Sequence, residues 1–542
     1  MAAVANATGF AHFVKETVPD YLASLPVPSS LEDVQNLSPY DLWLLAPLIT
    51  LVLSPVILYI SSLRFRQAFD LEHNQSGLFQ WASVFYHGNI LSVLPFLLGF
   101  VPGAITYFAI SVAGQGTGLT WLTVFAGYVL VPIADLILGE NSYNPTEEQE
   151  KKLTENIWFR IVSLLYTPFY IGSVLYGSYI ISTRPELTTV DLVGIAVSTG
   201  VSGGFGIGCV HELIHRPHLA ELSMGILATV FANYSHFWIE HLWGHHKRVA
   251  TDEDPASSNL GDNIYTWMPN ALIRGFTDAV DIERRFRAKR GKSILEDRIL
   301  LGYVASAVIA YGIYSFFGLP ALLVHLGQGF VTALHIENAN YIEHYGLRRR
   351  VIEGKTDRHG EPIYERPGWF HAWDTGERLT NWMLFNIQRH PDHHTNAGRP
   401  YQILRTLPQS PTLPTGYAGM FVLSWFPPLF FAVMDPLVEN AYRVRETMEA
   451  KGIAASAFPK GSNNISSWFK REGEGYFEEG SSVASKYGFA GGSDVNKDSD
   501  VWDEDYDAAF EANKEKLRES RSLEQYKQKL APKTGADAKK DE

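Results

Sequence analysis

Long uncharged apolar runs alternate with charged segments along the chain. One run at 42–63 ends at Arg64, and a longer run from about 89 to 134 is interrupted by the glycine-rich segment 114–118. Since about 20 apolar residues cross the hydrocarbon core of a bilayer, these runs predict membrane-spanning helices at 42–63, 90–112 and 119–138. The glycine-rich interruption predicts a tight hairpin between the last two.

Two more apolar hairpins follow, each with a short polar or proline-containing turn. The first pairs 161–183 with 192–210 across the segment Arg184-Pro185-Glu186. The second begins after Arg298, bends near Gly318 and Pro320, and returns to about Tyr341. Both are long enough for two spans each.

Two shorter apolar pieces, 222–239 and 417–433, contain polar or proline interruptions. They are better explained as interfacial or re-entrant helices than as full spans. The whole pattern predicts an all-α integral membrane protein, with six spans in a domain at 89–438 and an extra span in an N-terminal extension at 1–88.

The distribution of positive charge predicts the orientation of these spans. The segments on one face hold only Lys15 and Arg184, whereas the opposite face is rich in lysine and arginine, including Arg64, Lys151, Lys247, Arg284, Arg285 and Arg348. By the positive-inside rule the second face is cytoplasmic. No cleavable signal peptide is recognisable at the N-terminus, so the first span is expected to direct insertion.

The last hundred or so residues change in composition. Residues 439–542 are rich in Lys, Glu, Asp, Ser and Gly, which predicts a largely disordered cytosolic tail. The ending Lys539-Lys540-Asp541-Glu542 resembles a dilysine retrieval signal, although paired lysines near a charged end are also common by chance. We expect the endoplasmic reticulum membrane if the signal is genuine and a plasma or inner membrane otherwise.

Charge and cysteine content exclude several classes of function. A net charge of -13 argues against nucleic acid as a partner, since a phosphate backbone requires a concentrated basic face. Cys209 is the one cysteine, so no intrachain disulfide and no cysteine-ligated iron–sulfur centre can form. Any electron carrier must therefore be a separate protein.

Histidines provide the strongest chemical signal. Nine of the 18 fall into four groups near span ends or interfacial segments on one predicted face, where they can converge. Imidazole nitrogen suits iron, zinc and copper, and nine ligands exceed what one ion uses, so two metals are predicted. The groups are His211 and His215 in HELIHRP, His241, His245 and His246 in EHLWGHH, His344 in NYIEHYG, and His390, His393 and His394 in QRHPDHH.

Acidic residues lie close to every histidine group. They are suited to accept the second ring N–H of a histidine and so to fix its ligating tautomer. Ordinary solvated carboxylates, or direct metal ligands, are the alternatives. The residues are Glu212, Glu240, Asp254, Glu343 and Asp392.

Four segments resemble, in order, the motifs of the integral-membrane alkane 1-monooxygenase family: HELIHRP, EHLWGHHKRVATDEDPASS, NYIEHYGL and QRHPDHHTNAGRPYQILR. The similarity covers about 90–436; residues 1–88 and the tail fall outside it. It implies a six-span di-iron hydroxylase with a cytoplasmic histidine-rich cap. The nine histidines would hold two irons, and the di-iron centre itself would be the catalytic group.

The resemblance also implies a reaction and partners. O2 would be the co-substrate, and the terminal carbon of a medium- or long-chain alkane or similar alkyl chain would become a primary alcohol. Reducing equivalents from NAD(P)H would arrive through a reductase and a separate rubredoxin, ferredoxin or cytochrome b5-like donor. The alternatives are a fatty-acyl or lipid desaturase or hydroxylase and, remotely, a metal transporter or sensor, whose ligands would lie near the membrane midplane.

Glycines in two spans are candidates for a substrate channel. Gly127 and Gly206, the latter within a run that includes Gly203, Gly204 and Gly208, leave little bulk where an extended chain could approach the metals. Close helix packing through small residues is the alternative explanation.

Overall fold

Helices make up most of the computed structural model, which describes residues 90–356, 362–451 and 453–455. The predicted span at 42–63, the rest of the extension at 1–88 and the Lys539–Glu542 ending lie outside the described residues, so these predictions stay untested.

The first predicted hairpin is confirmed with its bounds. Helix α1 (Ile90–Val112) and helix α2 (Leu119–Leu138) are joined through Gly116 and Gly118, which both have positive φ values. Helix α1 begins as a 3₁₀ helix, and α2 contains one π-helical turn at Ala126–Leu130. A short amphipathic helix, α3 (Glu147–Glu155), follows and is capped by Thr146.

The second hairpin differs from its prediction in one respect. Helix α4 (Ile157–Thr183) is followed by α5 (Thr189–Phe205), but the predicted helix at 192–210 is broken, because the chain bends by 46° at Gly206 into α6 (Ile207–Ile214). At the turn, Arg184 donates hydrogen bonds to three terminal carbonyls of α1, including that of Ala113 at 2.8 Å. These carbonyls have no partner within their own helix.

The piece predicted at 222–239 is two helices rather than one. Helix α7 (Leu219–Phe231) ends before Asn233, which adopts a left-handed conformation with φ of 54°. Segment α8 then joins a short α-helix, a π-helical turn and a second short α-helix: Phe237–Ile239, Glu240–His245 and His246–Arg248. Helix α9 (Ile264–Arg290) follows.

Helix α10 (Arg298–His344) has 47 residues but is two helices that meet at Gly318, where φ is 83° and ψ is 178°. Ser306 donates to the carbonyl of Val230 and Gln328 donates to the carbonyl of the adjacent Phe231, at 2.9 and 3.0 Å. In a straight helix these two donors would be about 33 Å apart. The chain therefore folds back at Gly318, as the bend in the sequence predicts.

The remaining elements form a cap around the end of α10. A two-stranded antiparallel hairpin, β1 (Val351–Thr356) with β2 (Pro362–Tyr364), is absent from the all-α prediction. Helices and 3₁₀ turns complete the described chain: 3₁₀ turns Ile294–Glu296 and Tyr401–Ile403, and helices α11 (Arg378–Met383), α12 (His390–Thr395), α13 (Tyr417–Ser424) and α14 (Pro427–Ala450).

The C-terminal boundary predicted at 438 is placed too early. Helix α14 crosses it and packs through Tyr442 and the fully buried Arg445, which forms an ion pair with Glu365 at 2.6 Å. The predicted piece at 417–433 is likewise divided at Trp425 and Phe426, because Pro427 begins a new helix. The packed domain extends at least to residue 450.

Length and apolar composition mark several of the described helices as able to cross a bilayer. Four helices meet this requirement within residues 90–356 and 362–451, or five if α5 and α6 form one bent span. Their outer faces carry exposed apolar side chains, among them Leu94 and Phe108 on α1 and Val308, Tyr311 and Phe316 on α10. Such an arrangement is that of an integral membrane protein.

Candidate metal centre

All nine histidines predicted from the sequence converge into two adjacent groups. In each group the potential ligand atoms lie within 4.8 Å of one another. Most of the rings are fully buried, and those of His215 and His246 are partly exposed. The first group contains His211, His215, His241, His246 and His393, and the second contains His245, His344, His390 and His394.

The Nε2 atoms point inward at short separations. In the first group His246 Nε2 lies 3.0–3.1 Å from those of His215, His241 and His393. In the second, the separations along the series His245, His394, His390 and His344 are 3.2, 2.8 and 3.2 Å. A neutral imidazole carries one N–H, so His246 cannot satisfy three such neighbours by hydrogen bonding. Nitrogens about 2.1 Å from one ion are separated by roughly 3 Å, so each group fits one metal.

A π-helical turn determines how the three histidines of the EHLWGHH motif are divided between the two groups. His241 and His246 share the first group, whereas His245 belongs to the second. The backbone N–H of His246 donates to the carbonyl of His241, five residues earlier, which is the π-helical pattern. This register places residues five apart, rather than four apart, on the same side of the helix.

Helix α12 also contributes to both groups. His390 and His394, one α-helical turn apart, face the second group, and His393 faces the first. Helix α6 supplies His211 to the first group alone, as does His215, the residue that caps the C-terminal end of this helix. His344, the last residue of α10, completes the second.

Hydrogen bonds at the second ring nitrogen fix two rings of the second group. His245 Nδ1 lies 2.9 Å from Asp254 Oδ2, and His344 Nδ1 donates to the carbonyl of His371 at 3.1 Å. Burial alone would raise the pKa of the Asp254 carboxyl, but His245 and a hydrogen bond from Ser257 lower it to about 2. Asp254 is therefore an anionic acceptor, and the Nε2 atoms of both rings are left for a metal.

We predict that Asp254→Asn weakens metal binding in the second group by about 10–100-fold, because His245 loses the anionic acceptor that fixes its tautomer. Metal retention during titration with a chelator measures the effect. Asp252→Asn is the matched control, since the Asp252 side chain lies in the same loop and is 84% exposed. Equal metal retention in the two variants would show that Asp254 does not orient His245.

Two of the five predicted carboxylates form ion pairs with arginines instead. Glu212 forms an ion pair with Arg216, one helical turn away, and Asp392 binds Arg399 and Arg405 at 3.1 and 2.9 Å. Both prefer arginine because a buried carboxylate needs a charged partner. Their effect is structural, since Asp392 ties helix α12 to the loop that follows it.

Glu240 and Glu343 also depart from the prediction. Among the described residues no hydrogen bond joins Glu240 to a histidine, and its Oε1 atom is buried without a partner. Glu343 Oε2 lies 3.3 Å from His390 Nε2, which is the nitrogen that faces the other histidines. Glu343 is therefore on the metal side of the ring and is not an acceptor at its second nitrogen.

The hydrogen-bond network that supports His344 is not predicted by the sequence. His371, whose carbonyl accepts from His344, is itself held by Glu365 at 3.1 Å and by the backbone N–H of Gly368 at 2.9 Å. Burial would raise the pKa of Glu365, but Arg445 holds it well below its usual range. Glu365 and Arg445 are 80 residues apart in the chain and belong to no motif, so the sequence contains no signal for this network.

A cavity lies directly beneath the histidines. At the metal end it is lined by His211, His241, His390 and Glu343. The rest of the lining is mainly apolar, with three polar exceptions, His335, Asn340 and Tyr417. The apolar residues include Ile207, Phe237, Ile336, Ala339, Leu384 and Phe421.

Gly127 and Gly206, the predicted channel residues, do not line this cavity. A Cβ atom at Gly206 would lie 1.5 Å from the Tyr166 hydroxyl, and one at Gly127 would lie 2.9 Å from the Phe205 ring. Both glycines allow close packing of helices, which is the alternative explanation. The contacts of the two glycines favour close packing, and a channel at these positions stays a prediction.

The donor set and its environment suit a bound metal. Burial lowers the pKa values of His241, His246 and His394 well below the ordinary range, as do the neighbouring imidazoles. These rings are therefore neutral, which is the form that binds metals. His211 Nε2 is buried without a hydrogen-bond partner. A metal in the first group would satisfy it.

Known families match two parts of the chain. Residues 190–424, which contain all four histidine motifs, match the fatty acid desaturase family. Residues 8–69, outside the described part of the chain, match a family described as the N-terminus of an iron-containing outer mitochondrial membrane protein.

This chain aligns with most of the length of several individual relatives. Alkane 1-monooxygenase 2 of Pseudomonas aeruginosa is 37% identical over 330 residues, which is 60% of this chain and 86% of that protein. Alkane 1-monooxygenase of Acinetobacter baylyi is 34% identical over 319 residues, or 58% of this chain and 76% of that protein. The hydroxylase component of a Pseudomonas putida xylene/toluene monooxygenase is 28% identical over 281 residues, or 51% and 72%.

Proposed function

Because the chain belongs to the alkane 1-monooxygenase family, we propose that it hydroxylates the terminal carbon of a medium- or long-chain alkane or similar alkyl chain to a primary alcohol. The observation that carries this proposal is the cavity, which has three of the converging histidines at one end and a mainly apolar wall below them.

Two non-haem irons, when bound, supply chemistry that no side chain can: reductive activation of O2, which adds one oxygen atom to a C–H bond and releases the other as water. The five histidines of the first group would hold one iron and the four of the second group the other. Asp254 and the His371 carbonyl would keep His245 and His344 in the ligating tautomer.

The cavity walls would bind and orient the substrate. An alkyl chain has no polar group at its reacting end, so binding depends on burial, worth about 0.8 kcal/mol per methylene. Ile336 and Ala339 on α10 and Phe421 on α13 provide apolar contacts along the wall. The terminal carbon would lie between His211, His241 and His390, where the cavity meets the metal groups.

We further propose six spans in the described region: α1, α2, α4, the bent pair α5–α6, and the two halves of α10. The distribution of positive charge supports a cytoplasmic position for the histidine-rich cap. Lys247 and Arg248 adjoin the histidines, whereas Arg184 is the one basic residue in the described turns at the opposite ends of the spans. NAD(P)H-derived electrons would then arrive on the cytosolic side through a reductase and a rubredoxin, ferredoxin or cytochrome b5-like donor. Residence in the endoplasmic reticulum depends on the Lys539-Lys540 ending.

A second candidate function is desaturation or hydroxylation of a fatty-acyl or other lipid chain. The match of residues 190–424 to the fatty acid desaturase family favours it. The two functions share the metal chemistry and differ in the substrate and in the product.

Metal content and product identity test the proposal together. Purified protein is expected to contain two irons, one for each histidine group. Supplied with a linear alkane, O2 and an electron-donor system, it is expected to form the 1-alcohol. Membranes with a His390→Ala/His394→Ala variant are the control for background oxidation. Formation of an alkene alone would indicate a desaturase, and zinc alone without oxygen-dependent turnover would overturn both functions.

A further inference from the structure

One polar side chain in the cavity wall has no role in the proposed reaction. His335 lies on α10, 5% exposed, with its Nδ1 atom 3.0 Å from the hydroxyl of Tyr128. Its Nε2 atom is buried and has no hydrogen-bond partner. His335 belongs to neither histidine group.

The neighbouring helices pack closely around the imidazole ring of His335. A Cβ atom at Gly204 would lie 2.2 Å from Cγ of His335, so only glycine at that position leaves room for the ring. Phe421 packs edge-on against the ring with centroids 4.5 Å apart, and Phe205 packs at 5.2 Å. Tyr128 lies within the π-helical turn of α2. Several elements therefore hold His335 in one position.

Hydrogen bonding at Nδ1 leaves Nε2 free for a ligand. If the Tyr128 hydroxyl donates to Nδ1, then Nε2 carries the proton and is a donor; in the other tautomer Nε2 is an acceptor. In both cases a polar atom is buried in a mainly apolar cavity, which is unfavourable unless it forms a hydrogen bond. A plain alkane offers no partner for it.

We infer that His335 is a specificity-determining residue that hydrogen-bonds an oxygen atom on the alkyl chain. The preferred substrate would then carry a hydroxyl, carbonyl or ether oxygen at a distance from the carbon that is oxidised. Eight residues separate His335 from Glu343 on the same wall, so the oxygen would lie about 12 Å from the metal end. This inference rests on the proposed function, since it uses the same cavity.

A series of substrates with equal chain length tests this inference. One substrate is a plain alkane, and the others are ethers in which the oxygen moves stepwise along the chain. With wild-type enzyme, kcat/KM for terminal hydroxylation is expected to be at least about tenfold higher for one ether position than for the alkane. His335→Leu is expected to lose that preference, so that its kcat/KM for that ether is no higher than its kcat/KM for the alkane. Tyr128→Phe is expected to reduce the ether preference. His335→Gln is expected to keep part of the preference that His335→Leu loses.

Anaerobic binding of the same chains to the iron-loaded enzyme separates this inference from the reaction. If no chain is oxidised but wild type still binds one ether at least tenfold more tightly than the alkane, the proposed function is wrong and the role of His335 stands. Equal affinity and equal kcat/KM for ethers and alkane in wild type would overturn the inference, even if His335→Leu fails to fold. Retention of the ether preference in His335→Leu would overturn it as well.

Discussion

Replacement of His344 by alanine is expected to abolish hydroxylation and to reduce bound iron from two ions to one. His344 is the single histidine of its motif, yet its Nε2 atom lies 3.2 Å from that of His390 within the second group. That group has four histidines, so the loss of one leaves three ligands and exposes a buried site. Changes in residues that merely orient a ligand cost 10–100-fold, and we expect a loss of more than about 100-fold here.

Iron content per folded chain and the rate of alcohol formation measure the effect of His344→Ala. His325→Ala is the matched control, because His325 is a buried histidine on the same helix that lies outside both groups. The control should retain both irons. Full activity in His344→Ala would remove this residue from the ligand set and leave the second group without its proposed role.

Replacement of Arg445 by alanine is expected to destabilise the cap by about 3–5 kcal/mol, because it leaves the buried carboxylate of Glu365 without its charged partner. Arg445 donates to both oxygens of Glu365, at 2.6 and 2.8 Å, and neither side chain is more than 1% exposed. Since Glu365 also holds His371, whose carbonyl fixes His344, iron should be lost from the second group as well.

Thermal inactivation and iron retention measure the effect of Arg445→Ala. Arg443→Ala is the matched control, two residues earlier on the same helix, with a side chain that is 63% exposed and an ion pair to Glu439 at the surface. That pair should contribute little. If the two variants behave alike, the segment beyond residue 438 is dispensable, as the sequence alone suggests.

The apolar helices and the clustered histidines could be predicted because each depends on a local pattern. A run of apolar residues as long as a bilayer is thick determines α1 and α2 by itself, and Gly318 with Pro320 is enough to indicate the turn within α10. The histidines cluster in short motifs, so their convergence followed from the positions of the span ends. None of this requires knowledge of distant contacts.

The features that the sequence does not predict depend on tertiary contacts. Glu212 and Asp392 are closer in sequence to histidines than Asp254 is, but arginines bind them in the folded chain. The part of helix α14 after residue 438 has the charged composition of a solvated tail, and it becomes part of the domain because Glu365 is present to pair with Arg445. Similarly, the packing role of Gly206 depends on Tyr166, 40 residues earlier in the chain.

The π-helical turn at Glu240–His245 has a consequence for protein design. On an ideal α-helix His241 and His245 would be roughly 40° apart around the axis, and His241 and His246 roughly 140° apart. A synthetic bundle that copied the letters HLWGHH onto regular helices would direct His241 and His245 to one metal and turn His246 away from both. To reproduce this arrangement, a designer must copy the irregular backbone along with the side chains, because the extra residue in that turn distributes the histidines between the two groups.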